Sequence, residues 1–376
     1  MTLASAESAV RMIPGPTTMY PSVLQAYSEA LGSPDTDAAF WDDYLALERA
    51  LQTILRTKNA VAIQSGEGMV ALWGAMRSTI RPGDVVVCGV NGVFGDGFAA
   101  MARGMGAEVH VVESDWQNPL DVARLIEEIK QCNPKLVTVV HCETPSGLVN
   151  PLAQVGEAVA NHTTDGLFLV DFVSSAGGVA LEVDEWKIDL GLLGPQKVLS
   201  GPAALAMTSV SDKAWKRIND VAYIGYDALQ PFYRVAEQEP RLMPYTHNWH
   251  AVRATLTACE YIVNQGGVDA NIQRHQEVAA YCRSLVTEEL KLALYCQDES
   301  AASSTVTAIQ VPEGVSWADL NRELIAQGVF LGGSYGPLAG KVFRVGHMGS
   351  QADKQLVERA VRAIGAVLKK LQQLLD

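Results

Sequence analysis

Two ionisable side chains close apolar runs. Asp171 ends Leu167-Phe168-Leu169-Val170-Asp171, and Lys197 ends Leu190-Gly191-Leu192-Leu193-Gly194-Pro195-Gln196-Lys197. Short apolar runs bounded by glycines read as buried parallel strands, and open α/β sheets take their ligands at the carboxyl ends of such strands. A carboxylate and an amine are therefore expected to converge on one crevice. There a lysine that loses its proton can attack a carbonyl, while a carboxylate keeps a pyridine nitrogen protonated so that the ring acts as an electron sink. The pair implies a pyridoxal-type group. Taken singly, Lys197 also reads as an ordinary strand-end lysine and Asp171 as the cap of a following helix.

Other residues fit the same chemistry. Ser65-Gly66-Glu67-Gly68 runs from a strand pattern into a helical one, so its amides would face outward at a positive helix end and form an anion cup. Such turns are also common without a ligand. Thr144 or Ser146, in His141-Cys142-Glu143-Thr144-Pro145-Ser146-Gly147, could hydrogen-bond a ring hydroxyl, although Pro-Ser-Gly also suits a simple turn. Arg344 lies inside the apolar run Val342-Phe343-Arg344-Val345, where a guanidinium needs a partner. A substrate carboxylate would supply a planar, bidentate one, and a structural salt bridge is the alternative. His347 reads as a structural neighbour.

These residues must be held by a sizeable scaffold. Strand-like runs recur at Ala60 to Ile63, Val85 to Cys88, Glu108 to Val112, Leu136 to His141, Leu167 to Val170, Leu190 to Leu193 and Ala203 to Met207, separated mostly by helical patterns. That alternation predicts an α/β fold, a mostly parallel seven-stranded sheet between helices. From about Asn248 a long helical stretch is expected through Leu294, then strands at Thr305 to Val311, Val329 to Gly332 and Val342 to Val345, and an amphipathic helix from Gln351 to Leu375. The division expected is an N-terminal segment at the active site (1–20), a large cofactor-binding domain (21–247) and a smaller C-terminal α+β domain (248–376). Loops at Gly32 to Asp37 and Asp298 to Ser304 are candidate flaps.

Composition narrows the partners. With 376 residues and 48% hydrophobic composition the chain can fill a large core. No apolar run of about 18 residues appears, and the first seven residues lack the pattern of a signal peptide, so a cytoplasmic location and no membrane are expected. The net charge of −13 disfavours nucleic acid and gives no long-range attraction to an anionic substrate. The six cysteines carry no CxxC pair or metal-ligand spacing with histidine, so reduced thiols and no metal are expected.

Val170-Asp171-Phe172-Val173-Ser174-Ser175 and Gly194-Pro195-Gln196-Lys197 resemble signatures of the class V, fold-type I aminotransferases, and matches of this kind extend from position 13 to 349. The resemblance implies that the 63–69 loop is a phosphate cup, that Phe94 in Asn91-Gly92-Val93-Phe94-Gly95 stacks on the pyridine where it would otherwise be a core phenylalanine, and that Val173 and Gln196 border the cofactor. Gly15, in Ile13-Pro14-Gly15-Pro16, would lie beside substrate. Arg344 would bind its carboxylate, and Lys197 would carry a Schiff base. Thr246 resembles a threonine that reaches the cup from a neighbouring subunit, which implies a homodimer or a dimer of dimers with shared active sites. The implied partners are a small-molecule amine and a 2-oxo acid.

Two departures bear on that reading, one sharpening it and one weakening it. Family members that hold pyridoxal 5'-phosphate permanently usually have a small, hydroxyl-bearing or basic residue where this chain has Glu67. Two unit charges about 5 Å apart at an effective dielectric of about 20 repel by about 3 kcal/mol, and a phosphate dianion roughly doubles that. Each such increment costs about a hundredfold in affinity. Glu67 therefore points to unphosphorylated pyridoxal or pyridoxamine bound as substrate, with an amino group passing between pyridoxamine and pyruvate. The alternative is a pyridoxal-phosphate-dependent alanine or serine to glyoxylate or pyruvate aminotransferase. Tyr335 is the second departure, standing where the most similar kind of member has a second arginine; it implies a different carboxylate recognition and weakens the vitamer reading. A lyase or desulfurase is disfavoured by Phe94, because desulfurases usually stack a histidine on the ring.

Overall fold

The computed structural model describes residues 9–373. The first eight residues and the last residues of the helix expected through Leu375 lie outside them. In chain order the first elements are β1 (Val10–Met12), α1 (Pro21–Tyr27), α2 (Ala39–Leu55), β2 (Ala60–Ser65), α3 (Gly68–Thr79), β3 (Val85–Val90), α4 (Val93–Gly104) and β4 (Glu108–Glu113). Next come α5 (Val122–Cys132), β5 (Leu136–Val140), a hairpin of β6 (Cys142–Glu143) and β7 (Leu148–Val149), α6 (Ala153–His162), β8 (Leu167–Asp171), β9 (Leu190–Leu193), β10 (Leu205–Val210) and α7 (Asp212–Val221). The closing part holds α8 (Trp249–Asn264), α9 (Gly267–Ser284), β11 (Val306–Gln310), α10 (Trp317–Ala326), β12 (Val329–Gly333), β13 (Val342–Gly346) and α11 (Lys354–Gln372).

The main sheet has seven strands in the order β2-β10-β9-β8-β5-β3-β4. All neighbours pair in parallel except β10, which is antiparallel to both β2 and β9. Every residue of β5, β8, β9 and β10 is buried. Helices cover both faces, which is why these strands are written as continuous apolar runs and not as alternations. One face packs under α3, α4 and α7, the other under α2, α5, α6 and α8. The edge strand β4 is different, exposing Glu108, Val111 and Glu113. Strand β10 runs three residues beyond the expected Met207 because Thr208 and Ser209 are accepted in mid-sheet, which their polarity concealed.

A second sheet has the order β1-β12-β13-β11. The N-terminal strand thus joins C-terminal ones, Val10 to Met12 lying parallel to Val329 to Leu331. This sheet shares a core with α9, α10 and α11. The expected long helix after Asn248 is instead two helices, broken where Gly266 and Gly267 take φ values of +95° and +85°. The left-handed region is open to glycine and costly for other residues, so the pair ends α8 and re-aims the chain. Trp249, Val252, Leu256, Cys259 and Ile262 of α8 belong to the large core. The boundary expected at 247/248 therefore precedes a helix of the large layer, and the smaller packing unit begins at α9.

Candidate active site

The carboxyl ends of β2, β3, β5 and β8 lie along one border of the main sheet, and the segments that follow them line one cavity together with the loop after β9. Asp171 is the last residue of β8, and the Val173 amide donates to its Oδ1 at 2.8 Å. Lys197 differs from expectation. Strand β9 stops at Leu193, and Gly194-Pro195 starts a turn that places Lys197 four residues beyond the strand. The turn closes on itself by Gly201 N to Pro195 O at 2.8 Å.

The N-terminal segment fastens this turn. Thr17 donates from its amide to Gln196 O at 2.9 Å and from its hydroxyl to Lys197 O at 2.8 Å. Lys197 Nζ donates to Pro14 O at 2.5 Å. Gly15 has φ +89°, and a Cβ built there would stand 2.3 Å from Lys197 Cδ. Gly15, expected beside substrate, lies against Lys197, and its missing side chain is the space that the lysine occupies.

Burial and neighbours set the charges. Burial, with help from the Arg344 charge, lowers the Lys197 ammonium to about 8, against the opposing pull of Asp171. Burial raises the Asp171 carboxyl to about 6, and the Val173 amide and Lys197 limit the rise. The two groups therefore approach each other in acidity, and a lysine with a usable neutral fraction near physiological pH stands within the field of a carboxylate. A fully buried Glu143 accepts from the amides of Phe94 and Gly95 at 3.3 and 2.7 Å, which fixes the first turn of α4 and with it the Phe94 ring at the cavity.

At the other end of the cavity Glu67 caps α3. Its Oε2 accepts from the Met69 amide at 3.0 Å, and its Oε1 accepts from Gln196 Nε2 at 2.7 Å. The remaining Gln196 oxygen is buried with no hydrogen-bond partner among the described residues. Ser65 and Gly66 lie outside the lining: Ser65 Oγ accepts from the Asn248 amide at 3.0 Å, and the Gly66 amide donates to Ala204 O at 3.0 Å. Two of the loop's polar groups are thus engaged within the chain.

The structure brings Glu67, Phe94, Thr144, Asp171, Val173, Gln196 and Lys197 to one cavity. Thr144 shares a hydrogen bond with Ser174. Ser146 is placed elsewhere, its hydroxyl donating to Glu143 O at 3.3 Å inside the turn, so of the two candidate hydroxyls only Thr144 borders the cavity. Thr246 is exposed, outside the lining, and its hydroxyl donates to Asp35 at 3.0 Å in the 32–37 loop. Arg344 is buried, donates from Nε to Gly333 O at 2.8 Å, and lies 4.9 Å from the centroid of the Tyr335 ring. No carboxylate among the described residues pairs with it, which removes the structural salt bridge. His347 is structural as expected, held between Thr307 Oγ1 at 2.8 Å and Ser304 O at 3.1 Å.

Sequence reasoning omitted Gly68, Met69, Leu72, Cys142 and Ser174 from the lining. A usable signal existed for most of them: Cys142 and Ser174 follow the ends of β5 and β8, and Met69 and Leu72 are three apart on the first turn of α3.

The donor set can be tested against a pyridoxal ring. A buried carboxylate, a lysine of lowered pKa and an unsatisfied buried amide oxygen line one apolar-walled space, and these are groups that a protonated pyridine, an aldehyde or amine, and a hydroxyl would engage. The ring end fits. The phosphate end meets the Glu67 carboxylate already seated on the helix amide.

The chain matches the family described as Aminotransferase class-V over residues 51–343. It is 31% identical to the (S)-ureidoglycine–glyoxylate transaminase of Bacillus subtilis, over 95% of this chain and 90% of that one. It is 30% identical to the pyridoxamine–pyruvate transaminase of Mesorhizobium japonicum, over 96% of this chain and 92% of that one. The crystal structure of alanine–glyoxylate aminotransferase from Nostoc sp. superposes with a TM-score of 0.91 at 29% identity, covering 98% of this chain and 97% of that one.

Proposed function

From the premise that the chain belongs to the class-V aminotransferases, enzymes that use pyridoxal phosphate on the fold-type I scaffold, we propose that it moves an amino group between pyridoxamine and a small 2-oxo acid such as pyruvate. The observation that carries this reading is the position of Glu67. A phosphate in the cup would face a carboxylate that has taken the Met69 amide, whereas the primary alcohol of an unphosphorylated vitamer can donate to it. The ring itself supplies the electron sink of transamination when bound.

The roles of the chain's own residues follow from their chemistry. Neutral Lys197 accepts and returns the proton that moves during transfer, and its lowered pKa keeps a usable fraction deprotonated near pH 7. Asp171 would hold the ring at its nitrogen and keep that nitrogen protonated. Val173 and Phe94 bound the ring, Thr144 and Gln196 orient its polar substituents, and Arg344 takes the oxo acid carboxylate, with Gly15 leaving room between them. Thr246, exposed and away from this chain's cavity, is assigned to the cup of a second copy in a homodimer.

The second reading is an alanine or serine to glyoxylate or pyruvate aminotransferase with resident pyridoxal phosphate. It is favoured by the exposure of Glu67, whose side chain has open solvent into which to swing. The two are separated by purifying the protein without added vitamer and adding pyridoxamine with pyruvate. Colourless protein that then releases free pyridoxal supports the first. Yellow protein that keeps pyridoxal phosphate and releases no pyridoxal overturns it.

A further inference from the structure

Far from the cavity, the outer edge of the main sheet carries a cluster that the aminotransferase chemistry does not use. His110 on the edge strand β4 meets Glu128 and Cys132, which are four residues apart and so share one face of α5. His110 Nδ1 lies 2.7 Å from Glu128 Oε1, Cys132 Sγ lies 3.3 Å from His110 Nδ1, and Sγ lies 3.0 Å from Glu128 Oε1. An imidazole nitrogen, a thiol and a carboxylate oxygen thus form a triangle. The other ring nitrogen, His110 Nε2, faces Glu108 at 3.2 Å.

We propose that His110 Nδ1, Cys132 Sγ and a Glu128 carboxylate oxygen bind a divalent transition-metal ion of the zinc type, with water or an external group as fourth ligand. Three features point to a metal and not merely to an ion pair. The first is the ligand set: imidazole, thiolate and carboxylate together suit a borderline-soft ion of tetrahedral preference. The second is the orientation of the ring. A carboxylate on the nitrogen that does not coordinate fixes a ligating histidine, and Glu108 holds that place.

The third feature is geometric. In a tetrahedral site with bonds of about 2.0–2.3 Å the ligand atoms stand about 3.3–3.6 Å apart. The observed separations of 2.7 to 3.3 Å need each side of the triangle to open by only about 0.3–0.6 Å. Side-chain rotation on half-exposed residues can supply that. On binding, the Cys132 thiol gives its proton to solvent and the sulfur lone pair forms the bond, so no oxidant or reductant is involved. Cys132 is also the last residue of α5, where the carbonyl end of a helix favours a cation.

The consequence would be mechanical. Helix α5 buries only Leu125 and Ile129, and β4 is the sheet's edge, so an ion bridging them would pin a thinly buried helix to that edge. The test uses the full-length protein, stripped with a chelator and titrated with Co²⁺ as the spectroscopic probe and Zn²⁺ as competitor. Expected are intense tetrahedral d–d bands at longer wavelength than pyridoxal absorbs, saturating at one ion per chain and abolished by equimolar Zn²⁺. Cys132→Ser should weaken binding at least a hundredfold and erase the thiolate contribution, with transamination unchanged as evidence of folding. Glu128→Gln, which preserves shape, should weaken binding at least tenfold. Absence of the bands in wild type, or a stoichiometric site unmoved by both substitutions, would overturn the proposal.

Discussion

The two ends of the cavity are built on opposite terms. At the ring end Asp171 and Lys197 are buried, and their charges are shifted toward neutrality by desolvation, to about 6 and about 8. At the cup end Glu67 is exposed and satisfied by a helix amide and a glutamine. A buried charge is held at a cost in desolvation, so it is kept for the chemistry it performs and tolerates few functional alternatives. An exposed cap on a helix can be exchanged at a cost of about 1 kcal/mol. The difference teaches where a scaffold of this kind keeps its chemistry and where it is free to change its ligand.

That contrast can be broken first at the buried end. Lys197→Ala should lower turnover by about 10³-fold or more while vitamer binding persists, read by single-turnover absorbance. Retained transamination would remove the proton-transfer role. Asp171→Asn should lower kcat by about 10²-fold, since the ring nitrogen loses its anionic partner. The same change should raise the thermal midpoint of the ligand-free protein by about 1–3 °C. The sign follows from linkage: the folded pKa of Asp171 lies above its unfolded value, so the folded carboxyl binds more protons and its ionisation costs stability as pH rises from about 4 to 6. A scan showing no gain would mean that the carboxylate is not held at a cost.

Gly15→Ala tests the packing between them. The new Cβ would collide with the Lys197 stem and sit at positive φ, so kcat should fall about 10–100-fold with a smaller change in KM. The smallest effect sharpens the electrostatics. With Asp171 ionising near 6 and Lys197 deprotonating near 8, kcat/KM for pyridoxamine should climb severalfold between pH 7 and 8 and level off above about pH 9. A profile flat across that window would contradict the coupled pair.

Most of the buried end was legible in the chain. The runs ending at Asp171 and preceding Lys197 are apolar because their strands are covered on both faces, and the ligand edge follows from their direction. Less visible was what depends on tertiary fit. Lys197 lies beyond its strand because Gly194-Pro195 ends the ladder, and its stem fits only because Gly15, from the far terminus, has no side chain. Ser146 looked equivalent to Thr144 until the turn used its hydroxyl. The joining of Val10 to Met12 with β12 leaves no local pattern, since long-range pairing depends on the partner strand. The α8–α9 break has a local signal in Gly266-Gly267, but the flanking residues keep a helical period across it.

On the proposed function, Glu67 turns a phosphate cup into a seat for an unphosphorylated vitamer. That role is tested most directly by measuring Kd for pyridoxal and for pyridoxal 5'-phosphate on the vitamer-free protein, wild type against Glu67→Ser, by absorbance titration. The account predicts that wild type prefers pyridoxal, and that Glu67→Ser tightens the phosphate ester by about a hundredfold while changing pyridoxal little. A wild-type protein that binds the phosphate ester more tightly, with an affinity unmoved by the substitution, would contradict it.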